Sequence, residues 1–143
     1  MNFLKSAVLV LSLLSAPAMA AEDASRFQLS SAIMQKLMSA EAAMKLLRKP
    51  DDEKIEEGAI DKDQSIEAAI RRIDADPQTS AVLAKHGLSS RDLVLSTRAL
   101  YHAGMYLSTE GAMDRQKSAQ LFNSYTSEQK ANIDLIRAMQ KAK

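Results

Sequence analysis

His86 and His102 are the only imidazoles in the chain, and no cysteine accompanies them. A histidine performs general acid–base work only when a second group, usually a carboxylate, orients it. The residues three and four positions from His102 are Arg98, Ala99, Met105 and Tyr106, so an acid has to come from elsewhere in the fold. His86 falls at the expected end of a short helix, where an imidazole can serve free carbonyls and a positive charge suits the dipole. These placements make His86 a cap and His102 a packed or solvated side chain, with no catalytic residue and no metal ligand expected.

Methionine offers a different chemistry. His102 could be one axial ligand of a non-covalent haem held between helices, with Met34, Met38 or Met44 on a facing helix as the other. Methionines at helical spacing more often fill cores, and the expectation is that the chain carries no cofactor. Asp61, Asp63 and Ser65 match the opening ligands of a calcium loop, but Ile66 stands where its glycine belongs and Arg72 where its final Glu belongs, which excludes an EF-hand. Glu41 and Glu67 lie on different helices, and their patterns place both on solvated faces. The sequence has no G-x-S-x-G and no glycine-rich phosphate loop; Ser30, Ser89 and Ser90 read as helix caps.

Composition narrows the classes further. The 143 residues include 19 Lys and Arg against 18 Asp and Glu, no Trp, and six Phe and Tyr together. Near-neutrality and few rings argue against nucleic-acid binding. Without cysteine there is no disulfide framework and no thiolate metal centre.

The N-terminus reads as an address. Lys5 precedes the apolar run Ser6 to Ser15, which is too short to span a ~30 Å hydrocarbon core. Pro17 then breaks the helix, and Ala18-Met19-Ala20 supplies a signal-peptidase site. Cleavage after Ala20 would leave residues 21–143 as one soluble domain, periplasmic or secreted, with 18 basic and 18 acidic side chains and no transmembrane segment.

Helix-forming residues dominate residues 21–143, and no alternating β-branched run occurs, so the expected fold is all-α, a five- or six-helix bundle. A first helix should run from Ser30 or Ser31 to about Arg48, with Ile33, Met34, Leu37, Met38, Met44 and Leu47 on its apolar face. Residues 22–29 should form either an extended lead-in or an earlier turn; Phe27 and Leu29 alternate with polar residues, which suits an extended segment packed on the helices. Asp51–Asp63 reads as an acidic loop; residues 51–67 hold eight acids and two lysines, a local charge of −6, against +4 over residues 77–143.

A second helix should start at an Asp63 cap and end near Ala75. Asp76-Pro77 should open a third, which stops at Gly87 with Leu88 in a Schellman contact. Ser89 and Asp92 have capping-box spacing for a long helix ending about Ser108. Its predicted inner stripe is Leu93, Thr97, Leu100, Gly104 and Leu107, widened by Val94, Tyr101 and Met105, with a neighbouring helix close against Gly104. A weaker helix should cover residues 112–123. Thr126 and Gln129 should cap the last helix, which buries Ile133, Ile136 and either Met139 or Gln140.

The run Leu83-Ala-Lys-His-Gly-Leu-Ser-Ser-Arg-Asp-Leu-Val-Leu and the later Asn132-Ile-Asp-Leu-Ile-Arg resemble a pattern of small secreted all-helical bacterial proteins of uncharacterised function. The pattern spans about half of the mature chain and consists of caps and core positions. It implies a fold and carries no activity, cofactor or site residue.

The leading functional expectation is a non-enzymatic periplasmic binding or interaction protein whose partner is another periplasmic or envelope protein. The alternatives are a small-ligand carrier, haem included, with a pocket between helices near His102, and a hydrolase in which His102 meets an acid.

Overall fold

The computed structural model describes residues 24–47 and 65–142. The signal-peptide reading and the acidic loop Asp51–Asp63 therefore lie outside the described residues. Those described form helices joined by short connections, with no strand among them. One helical turn at residues 24–26 precedes α1 (Ser31–Leu47), α2 (Ile66–Asp74), α3 (Pro77–Lys85), α4 (Ser90–Glu110), α5 (Arg115–Ser124) and α6 (Ser127–Lys141).

Local chemistry sets most boundaries. Asp76 caps α3 by accepting the Gln78 N–H at 3.0 Å, and Pro77 occupies the first helical position, where no N–H is needed. The helix ends at Gly87, whose φ of 66° is open to glycine without strain. The Leu88 N–H reaches back to the Leu83 carbonyl and the Gly87 N–H to that of Ala84, while the Leu83 and Leu88 side chains share one buried cluster. Reciprocal capping boxes open α4 at Ser89 and Asp92, and α6 at Thr126 and Gln129. The cap of α2 departs from expectation. It is Ser65, which accepts the Ala68 N–H at 3.1 Å, rather than Asp63.

The segment 27–30 is a non-helical strap, as the alternation of Phe27 and Leu29 predicts. It lies against α6, where Leu29 is buried beside Met34 of α1 and Ala99 of α4.

The central helix, α4, packs chiefly against α2 and α6. Its buried face corrects the predicted stripe. The buried residues are Val94, Leu95, Ser96, Ala99, Ala103 and Tyr106, whereas Thr97, Gly104 and Met105 are exposed and Tyr101 is 70% exposed. No neighbour comes within 4 Å of a Cβ built on Gly104. The buried face thus combines the small Ser96, Ala99 and Ala103 with Val94, Leu95 and Tyr106, and which apolar residues of α4 it takes in is set by the helices packed against it. The first helix shows the same rotation, because Met34 and Ala40 are its buried residues while Met38 and Leu47 face solvent. In α6, Ile133 is fully buried, and Met139 rather than Gln140 completes the inner face.

Candidate functional site

A concavity among the described residues is built on α4. Leu93, Val94, Thr97, Arg98, Tyr101 and His102 recur at helical spacing and form its floor and rim. Ala69 and Ile73 of α2 make one wall, and Gln129 and Asn132 of α6 make the other. Ala24, in the helical turn before the strap, also lines this cleft of about 660 Å³. That volume falls in the ~300–1,000 Å³ range of small-molecule sites.

The strap holds this arrangement in place. The Asn132 side-chain amide donates to the Phe27 carbonyl at 2.8 Å and accepts the Leu29 N–H at 2.7 Å. Thr126 Oγ1 donates to the Ser25 carbonyl at 2.6 Å. Phe27 packs into the clusters on both sides of the strap, one around Ala99 and one around Val94. The α6 wall of the cleft is thus hydrogen-bonded to residues 25–29, which follow the lining residue Ala24.

His102 lines the cleft and meets the Tyr125 ring edge to face at a centroid distance of 4.4 Å. Its Nδ1 is buried and has no hydrogen-bond partner among the described residues. Burial holds the imidazole pKa below its ordinary 6.5, which favours the neutral ring. No carboxylate lines this cleft among the described residues, and Arg98 is the cation that does.

The other candidates sit elsewhere. Met34 is buried with Leu29 and Ala99; Met44 packs on the cluster of Ala40, Val82 and Leu83; Met38 is 57% exposed. None of the three lines the cleft, so the structure does not join a methionine to His102 there. His86 caps α3 with its backbone N–H, which bonds the Val82 and Leu83 carbonyls, instead of with its ring. Glu41 is exposed and pairs with Lys45 at 2.8 Å, and Glu67 is exposed on α2. No group of three or more His, Asp or Glu residues suited to a metal ion occurs among the described residues.

A second, more polar hollow lies between the end of α4, α5 and α6. There Arg137 bridges Glu110 at 2.8 Å and Asp134 at 2.7 Å, and the Tyr106 hydroxyl lies 3.1 Å from that of Ser118. The two carboxylates already meet the guanidinium charge, so this hollow reads as a structural network joining three helices.

Sequence reasoning singled out His102 but not the residues around it. Ala69, Gln129 and Asn132 come from separate segments, and no local spacing relates them to α4. Among the described residues, no helix is long and apolar enough to cross a membrane. No family model, curated protein sequence or solved structure matches this chain.

Proposed function

We propose that this chain is an exported, non-enzymatic binding protein, and that the cleft beside His102 receives a small, largely apolar ligand. The observation that carries this reading is the cleft itself: concave, mostly apolar, and set between three helices with a few polar groups at its rim. It moves the emphasis from a protein partner to a small-molecule one. The hydrolase alternative needs an acid against His102, and the contact found there is an aromatic ring. Export rests on the residues around Lys5, the apolar run after it and the Ala18-Met19-Ala20 site.

Titration with anilinonaphthalene sulfonate, an apolar fluorophore, tests the cleft. The native protein should give a saturable increase in fluorescence. Thr97→Trp, an exposed rim substitution, should abolish most of it without changing the melting temperature. Absence of saturable binding, or binding that Thr97→Trp leaves unchanged, would remove the reading. For export, N-terminal sequencing of protein from a periplasmic fraction should begin at Ala21. Recovery of uncleaved chain in the cytoplasm would overturn that part.

A further inference from the structure

The residues that shape the cleft also hold the segment before α1. Ala24 lines the cleft, and the Thr126 hydroxyl donates to the next carbonyl, that of Ser25. Phe27 packs into the clusters of Val94 and of Ala99, two residues of the cleft lining. Asn132 lines the cleft too, yet it is 2% exposed, and its amide is taken up by the strap, donating to the Phe27 carbonyl and accepting the Leu29 N–H. Asn132 is therefore a positioning residue: it joins the α6 wall to the strap.

This segment is attached differently from the helices. Residues 27–30 are non-helical, and Arg26 and Gln28 are exposed on either side of Phe27. The Phe27 carbonyl and the Leu29 N–H draw their partner from another element, whereas each helix closes most of its backbone bonds within itself. A segment held by few such contacts opens at a lower free energy than the packed helices around it. Its undocking would carry Ala24 out of the cleft lining and take Phe27 away from the clusters of Val94 and Ala99.

We propose, resting on the cleft as the binding site, that residues 24–29 are a detachable part of it: they undock from α6 while the helices stay folded, and a small apolar ligand in the cleft holds them docked. A ligand that needs the docked segment binds that form alone, so it reduces the undocked population by the factor 1 + [L]/Kd. Amide hydrogen exchange of the purified protein, read residue by residue by NMR with and without anilinonaphthalene sulfonate, tests this. The Leu29 N–H, bonded to Asn132, reports undocking of the strap, and the N–H of fully buried Ala103 in α4 reports opening of the helices. In the free protein, Leu29 should exchange faster than Ala103 once intrinsic rates are divided out. With free fluorophore at about ten times its Kd, exchange at Leu29 should slow about tenfold.

Saturable binding sensitive to Thr97→Trp that leaves Leu29 exchange unchanged overturns the proposal while the cleft remains the binding site. Equal protection of Leu29 and Ala103 in the free protein also overturns it, because the strap then opens only with the whole fold. Absence of saturable binding, or binding indifferent to Thr97→Trp, overturns the cleft as the site and the proposal with it.

Discussion

The Asn132 side-chain oxygen accepts the Leu29 N–H at 2.7 Å across 103 residues of sequence, at a point where both residues are buried. The same amide donates to the Phe27 carbonyl, so one side chain satisfies two backbone groups of the strap. Asn132→Ala would leave a buried N–H and a partly buried carbonyl without partners. At about 1–3 kcal/mol for an unsatisfied buried group, the expected loss of stability is about 3 kcal/mol, read by urea unfolding. Trypsin should also cut faster at Arg26, inside the loosened region. A loss below about 0.5 kcal/mol would mean that the strap contributes little to the fold.

Thr126 provides an independent test of the same attachment. Its hydroxyl accepts the Gln129 N–H as the cap of α6 and donates to the Ser25 carbonyl. Thr126→Ala removes both, with an expected cost of about 1.5–3 kcal/mol. Thr126→Ser should restore most of it, since only the methyl is missing. Because Thr126 holds the turn at residues 24–26 and Asn132 the strap that continues from it, the double variant should lose less than the sum of the singles.

Helix boundaries were the most legible part of the chain because their causes are local. The box of Ser89 and Asp92, the box of Thr126 and Gln129, and the stop at Gly87 and Leu88 each involve residues at most five apart. Which face of α4 is buried is a tertiary outcome. Leu93, Leu100, Tyr101 and Met105 outweigh Ser96, Ala99 and Ala103 in any hydrophobic pattern, yet the small residues are the buried ones, beside Val94, Leu95 and Tyr106. The strap was readable as an extended segment from Phe27 and Leu29, while its attachment to Asn132 was not, since no local signal pairs an asparagine with a backbone so distant in sequence. The same holds for the cleft, where His102 was visible as a candidate and its walls were not.

Two glycines turn that difference into a measurement. Gly87 sits at a φ of 66°, so Gly87→Ala should destabilise by about 1–2 kcal/mol. Gly104 lies in an exposed helix interior with open space around it, so Gly104→Ala should stabilise by about 1 kcal/mol. A destabilising Gly104→Ala would reinstate the close helix approach predicted from the sequence.

Ser96 offers a third substitution in α4. Its Oγ is buried and has no hydrogen-bond partner among the described residues. Removing a buried hydroxyl that gains nothing in the fold relieves its desolvation cost. Ser96→Ala should therefore raise stability by about 1 kcal/mol in thermal or urea unfolding. A loss of that size would mean that the hydroxyl is bonded in solution.

His102 makes stability depend on pH in a direction fixed by its environment. Burial lowers its folded-state pKa below the 6.5 of an exposed imidazole. Between those two values the unfolded chain binds the proton that the folded chain refuses, so protonation favours unfolding. The contribution of neutral His102 is fully present above 6.5. It declines as the pH falls below that value and is exhausted once the folded pKa is passed. Unfolding measured at about pH 7.5 and about pH 5.5 should show the native protein weaker at the lower value. His102→Phe keeps an aromatic ring beside Tyr125 and carries no titrating group, so its stability should change less over the same interval. An equal change in both proteins would assign the pH dependence to other groups. A rise in native stability toward pH 5.5 that His102→Phe abolishes would require a carboxylate partner for the imidazole and reopen the acid–base reading.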